Sequence, residues 1–206
     1  VPLIPLKDDV PTARPPVAIL VLMVANVAAY FAIDGGGLSG ALVPLVVNVL
    51  TLWIYGATIE FREGRLVAVA IYGAGVALGV VLSLVLSDGA SAAAASAGGT
   101  GAIAATHLVR HPRSQVLGPL LIPLFVSIQG IPSALFLALW AGAQVVFATV
   151  GAIAPAGDID GSAYLAAALA PLAIGAVAGL ALRRRGGGPG ATSRPPYGGT
   201  AARTRS

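Results

Sequence analysis

Six stretches of 17 to 21 residues in this chain contain no Asp, Glu, Lys or Arg: Val17–Ile33, Ala41–Ala57, Leu66–Leu86, Ala92–Val109, Ile131–Val150 and Ala163–Leu182. A helix needs about 20 mostly apolar residues to cross the hydrocarbon of a bilayer. Charged side chains in that layer are costly and rare. Only 10% of the 206 residues are charged, against roughly 25% in a soluble domain. The solvent of most of this chain is therefore lipid, and the expected fold is an all-α membrane domain of six spans over residues 17–182.

The basic residues test that count. All twelve lie in the N-terminal lead 1–16 (Lys7, Arg14), the 2–3 connection (Arg62, Arg65), the 4–5 connection (Arg110, Arg113) or the end of the chain (Arg183, Arg184, Arg185, Arg194, Arg203, Arg205). The other three connections hold Asp34, Asp88, Asp158 and Asp160 and no basic residue. Positive charge stays in the cytoplasm, so six spans with both termini inside is the expected topology. The first span reads as retained rather than as a cleavable signal, because no short basic region opens the chain and more spans follow. Segment 116–130 is apolar, but Pro119 and Pro123 argue against a regular span; it reads as an extended or re-entrant piece lying on the bundle. Residues 183–206, rich in Gly, Pro and Arg, read as a disordered basic tail. Their charge fits topology and anionic-lipid contact, and no recognition motif accompanies it to suggest nucleic acid.

Chemistry has few carriers here. With no cysteine and two histidines, neither a thiolate nor a histidine metal cluster is expected, and no cofactor. Polar residues inside spans are functional candidates by default: Asn26, Asn48, Thr100, His107 and Gln144. The competing role for each is a hydrogen bond between helices, worth about 1 kcal/mol or less. The fourth span, "DGASAAAASAGGTGAIAAT", has almost no large side chains before Ile103. Small residues let helix backbones approach closely. Its N-terminal N–H groups, if they face a cavity, could hold an oxyanion.

Several stretches resemble the rhomboid family of intramembrane serine proteases over residues 3–182. They are "IPLKDDVPTARPPV", "NVLTLWIYGATIEFREGR" (48–65), "GGTGAIAATHLVRHPRSQV" (98–116) and "IPSALFLALW" (131–140). The resemblance implies a serine–histidine dyad on spans four and six and a His/Asn oxyanion pair on span two. Carried over by position, Gly98 and Gly101 match the glycines of Gly-x-Ser-Gly, and Thr100 stands at the serine. Ala168 stands at the span-six histidine. Asn48 matches the asparagine, and Pro44 replaces the span-two histidine. The family's long first loop shrinks to "DGGGLSG" (34–40).

A hydroxyl nucleophile needs an adjacent base. Span six offers no His, Lys, Asp or Glu. His107 lies seven positions after Thr100, about 10 Å along a helix, and reads as an interfacial histidine beside Arg110. Thr100 is expected to bond a backbone carbonyl one turn back, and Asn48 to bond across helices. Three functions are carried forward. The first is a pseudoprotease of a bacterial cytoplasmic membrane that binds transmembrane segments of client proteins. The second is a residual endopeptidase using Thr100, and the third a small transporter. The glycine frame Gly98, Gly99 and Gly101 implies a close neighbour, from the bundle or from a client.

Overall fold

The computed structural model describes residues 7–8, 15–34, 42–87, 91–122, 125–153 and 160–186. In chain order these form β1 (Lys7–Asp8), α1 (Val17–Ile33), α2 (Leu42–Glu63), α3 (Arg65–Leu86), α4 (Ala92–Arg110), β2 (Gln115–Ile122), β3 (Phe125–Pro132), α5 (Ser133–Ile153), α6 (Gly161–Leu169) and α7 (Pro171–Gly186). The expected all-α bundle is found, with a small sheet attached. The first loop beyond Asp34 and residues 187–206 of the expected tail lie outside the described residues.

Four helical segments among the described residues are long and apolar enough to cross a membrane: Leu42–Glu63, Arg65–Leu86, Ser133–Val150 and Gly161–Arg185. α1 is apolar but shorter, at 17 residues. α4 has 19 residues, yet its Ala, Gly, Ser and Thr side chains give it little hydropathy. It does not need more, because it touches every other helix and each residue from Ala92 to His107 except Ala95 is buried. The outward faces of the helices around it carry the apolar surface, with Val24 and Phe31 on α1, Val85 on α3, Leu139 on α5 and Val177 on α7 all exposed.

Helix boundaries follow local chemistry. Gly64 adopts φ +97, a conformation glycine reaches without steric cost, and this single residue separates α2 from α3. Pro44 is tolerated in the first turn of α2, where its missing N–H has no intrahelical acceptor. The sixth apolar stretch is two helices in succession. Pro171 cannot donate to the helix before it, so α6 stops at Leu169 and α7 starts afresh. α7 runs on through Arg183–Arg185, so the last turn of a helix occupies the first three positions read as tail.

The extended reading of 116–130 becomes a hairpin. β2 pairs antiparallel with β3 from Gln115↔Pro132 to Ile122↔Phe125, and β1 covers the other side of β2 at Val116 and Leu117. The Ser133 N–H donates to the Ser114 carbonyl (3.0 Å). In an antiparallel ladder hydrogen-bonded pairs alternate. Val116, Gly118, Leu120 and Ile122 therefore bond β3, while Pro119 and Pro132 sit at positions facing away from the β2–β3 ladder. Proline is tolerated there because no ladder donor is lost.

Contact with α4 is backbone-close. A Cβ on Gly98 would lie 2.7 Å from the Gly75 carbonyl of α3 and 3.0 Å from that of Ala167 of α6. On Gly99 it would meet the Tyr72 ring at 2.5 Å, and on Gly101 the Ala168 carbonyl and the Trp140 ring at 3.1 Å each. Gly175 of α7 abuts Ala102, and Gly179 abuts Thr106 and Val109, so α7 runs parallel to α4. The neighbours of the glycine frame are thus helices of the same bundle.

Two predictions follow from this packing and capping. Gly98→Ala should destabilise the protein by about 1–3 kcal/mol, the usual cost of overpacking, read as a lower unfolding midpoint in detergent. The second concerns Asp160, the N-cap of α6, which accepts from the Ser162 hydroxyl (2.7 Å) and the N–H groups of Ser162 (2.8 Å) and Ala163 (3.2 Å). The Ser162 hydroxyl first, then the Ala163 and Ser162 N–H groups, hold its carboxyl below the usual range. A depressed carboxyl contributes stability above its unfolded pKa of about 4 and loses it as pH falls through the folded value. The midpoint gap between the protein and Asp160→Ala should be constant at neutral pH and close on acidification below that range.

Candidate functional site

The residues singled out by resemblance lie on three helices: Pro44 and Asn48 on α2, Thr100 on α4 and Ala168 on α6. Thr100 is eight residues, about 12 Å, into α4, and it is fully buried. Its hydroxyl donates to the Asn48 carbonyl across to α2 at 3.4 Å, not to the carbonyl one turn back. α4 is so free of bulk here that a carbonyl of α2 comes within reach. The bond is long for an O–H donor, whose usual distance is about 2.7–2.8 Å.

Asn48 does bond across helices, and it is the hub of the cluster. Its Nδ2 donates to the Ala93 carbonyl of α4 (3.3 Å). Its Oδ1 accepts from Trp140 Nε1 (3.1 Å) and Gln144 Nε2 (3.2 Å), both on α5. Tyr164 of α6 donates its hydroxyl to Gln144 Oε1 (2.6 Å). All four side chains are buried. One carboxamide thus ties α2 to α4 and α5, and Gln144 passes the chain on to α6. Trp140 and Tyr164 were not among the sequence candidates. The i, i+4 spacing of Trp140 and Gln144, which puts two donors on one helix face, was the available signal.

Ala168 is fully buried, and its backbone carbonyl faces Gly101. Pro44 is buried in the first turn of α2. Among the described residues no ionisable side chain bonds Thr100; its hydrogen bond goes to an amide carbonyl, which takes no proton at neutral pH. The N-terminal N–H groups of α4, read from sequence as oxyanion donors, are engaged. Ala92 and Ala93 donate to the Asp34 carboxylate (3.1 and 3.2 Å), and Ala94 donates to the Ser91 hydroxyl (3.4 Å). A carboxylate there satisfies both the donors and the positive end of the helix dipole. Nothing in the sequence pattern pointed to Asp34, since its partner lies 58 residues away.

His107 corrects another expectation. It is fully buried rather than interfacial, with its ring 4.8 Å from that of Tyr55 and 5.2 Å from that of His111. α2 runs to Glu63 and α7 to Gly186, so protein extends past the level where the fourth span was expected to emerge. Arg110 pairs with Glu63 at 2.6 Å. Asn26 accepts from the Tyr72 hydroxyl (2.6 Å), an α1–α3 link. Among the described residues no group of three His, Cys, Asp or Glu could hold a metal ion. A cleft of about 360 Å³ opens at the arginine-bearing end, lined by Pro15, Pro16, Glu60, Phe61 and Arg65 among others. None of Thr100, Asn48, Pro44 or Ala168 lines it.

Fold and composition define a multi-pass helical membrane protein. A family model described as the Rhomboid domain matches residues 38–184, and the chain belongs to the rhomboid family. No curated protein and no solved structure matches it.

The cluster predicts a measurable dependence on Asn48. Asn48→Leu strands the Trp140 and Gln144 N–H donors in a buried setting and should cost about 1–3 kcal/mol. Combined with Gln144→Leu, the loss should be less than the sum of the single losses, because contacting residues couple. Unfolding of the protein and these three variants in detergent provides the cycle.

Proposed function

We propose that this chain is a rhomboid-family pseudoprotease: a six-span protein of a bacterial cytoplasmic membrane, termini inside, that binds the transmembrane segments of client proteins. The observation that carries the reading is the state of Thr100. It is buried, and its hydroxyl is spent on the Asn48 carbonyl. A nucleophile must give its proton to a base, and the histidine position holds Ala168. The oxyanion positions support the same reading. Pro44 has no donor to offer, Asn48 is committed to Ala93, and the N-terminal donors of α4 are capped by Asp34. By family resemblance, clients approach laterally beside α2 and α5. The exposed apolar side chains of Leu50 and Leu139 suit a membrane-helix partner.

The reading predicts no labelling by a fluorophosphonate probe, for the protein or for Thr100→Ser, and no cleavage of a model transmembrane substrate. Labelling that Thr100→Val abolishes would overturn it in favour of a working endopeptidase. Client binding is checked by photo-crosslinkers at Leu50 and Leu139 with a co-reconstituted single-span helix. Adducts with the helix are expected, and adducts with lipid alone count against the proposal.

A further inference from the structure

We propose that the cleft where the start of α1 meets the α2–α3 turn is a headgroup site for an anionic phospholipid. Pro16 before α1, Ala57, Glu60 and Phe61 of α2 and Arg65 of α3 line it. Its volume of about 360 Å³ falls within the roughly 300–1,000 Å³ of small-molecule sites. It is open beside Gly64, where an added Cβ would meet nothing within 4 Å. The Arg65 guanidinium is held by one edge. Its Nε donates to Glu60 Oε1 at 3.3 Å, and the Glu60 side chain is only 5% exposed. The Arg65 side chain is 65% exposed, and among the described residues its terminal nitrogens have no hydrogen-bond partner. A guanidinium fixed in this way presents a fork of N–H donors that matches two phosphate oxygens. Arg62 stands at the rim, its guanidinium carbon 6.0 Å from the centre of the Phe61 ring. Glu60 is already engaged, by the Ala18 and Ile19 N–H groups (3.0 and 2.9 Å) and by Arg65. Two arginines against this one carboxylate leave an excess of positive charge.

The surroundings select a lipid over a free anion. Exposed apolar side chains begin at the cleft itself, with Val17, Leu20 and Val21 on α1 and Leu66 and Val69 on α3. On a multi-pass membrane protein such side chains face acyl chains, while arginines near helix ends reach for the interface. The cleft lies where the two meet, at headgroup level. A phosphate on Arg65 and Arg62 can set its glycerol against Phe61 and Ala57 and send its acyl chains along the apolar face of α1 or α3. Basic pockets between membrane helices take anionic headgroups by the same chemistry. A zwitterionic headgroup would bring an ammonium group beside two guanidinium groups and find no unengaged carboxylate in the cleft.

The test titrates the protein in detergent with phosphatidylglycerol and with phosphatidylcholine of the same acyl chains, counting bound lipid by native mass spectrometry. One phosphatidylglycerol is expected to bind in preference to phosphatidylcholine. Arg65→Gln should weaken that binding about tenfold, the loss of a charge-assisted pair. Ala57→Trp, which fills the cleft without changing any charge, should weaken it at least as much. Arg113→Gln, which removes an exposed arginine elsewhere, should leave it unchanged, and inorganic phosphate should not displace the lipid. Circular dichroism shows which variants keep their helices. Equal binding of the two lipids overturns the proposal. So does an equal loss in Arg65→Gln and Arg113→Gln, full binding by a folded Ala57→Trp protein, or displacement by inorganic phosphate, which would mark a site for a free anion.

Discussion

The closeness of α4 to its neighbours is the constraint on which the rest of the bundle depends. In lipid, helices gain nothing from leaving the solvent, because the solvent is as apolar as they are. Association rests on van der Waals packing and hydrogen bonds. Dispersion falls away steeply with separation, so it is greatest where backbones touch. Gly98 against Gly75, Gly175 against Ala102 and Gly179 against Thr106 are such contacts. They place α3 and α7 along α4, while Gly101 admits α6 and the Trp140 ring. A helix of such low hydropathy would insert poorly by itself. Enclosed by six others, it has no need to face lipid.

Close packing leaves little tolerance for unmatched polar groups, and the helix ends show how they are met. Partners come from elsewhere in the chain. Glu60 of α2 accepts from the Ala18 and Ile19 N–H groups of α1 at 3.0 and 2.9 Å, and Asp34 at the far end of α1 caps α4. α1 is thereby fastened at both ends by carboxylates, although its face is largely exposed apolar surface. The Asn48 cluster performs the same service inside the bundle for α5, whose other flank carries exposed Leu135, Leu139 and Val146. Buried hydrogen bonds of this kind are directional, so they fix the rotation of a helix where packing alone would allow it to roll.

What could be read from the sequence follows from which forces are local. Charge exclusion and span length are local, and the stretches they mark overlap the apolar helices, although α2 runs on to Glu63 and the sixth stretch divides into α6 and α7 at Pro171. The glycine spacing of α4 announced close approach but not by whom. Tyr72, Ala167 and Ala168 are set by topology rather than by any neighbour in sequence. Asn48 was recognisable as a polar residue in a span. Its partners Trp140 and Gln144 lie more than 90 residues away, and no periodicity links them. His107 was misjudged because burial at a helix end depends on how far the adjacent helices extend. The hairpin lay between two readings, since proline forbids a helix interior yet is admitted at the outward positions of a strand.

Magnitudes separate the roles of residues within the segment Gly98–Gly101. The Thr100 hydroxyl makes a single long bond to a carbonyl. Interhelical bonds of that type average about 0.6 kcal/mol, and that carbonyl belongs to the interior of α2, where the helix ladder already uses it. A methyl group added at Gly98 would instead press on two backbone carbonyls of different helices. Neither can move without its whole helix, and overpacking of that order costs about 1–3 kcal/mol. The residue that makes the segment look like an active site is therefore among the least consequential for the fold. The glycines beside it, where a Cβ would press on neighbouring helices, matter more. A segment that keeps these glycines keeps what α3, α6 and α7 require of α4.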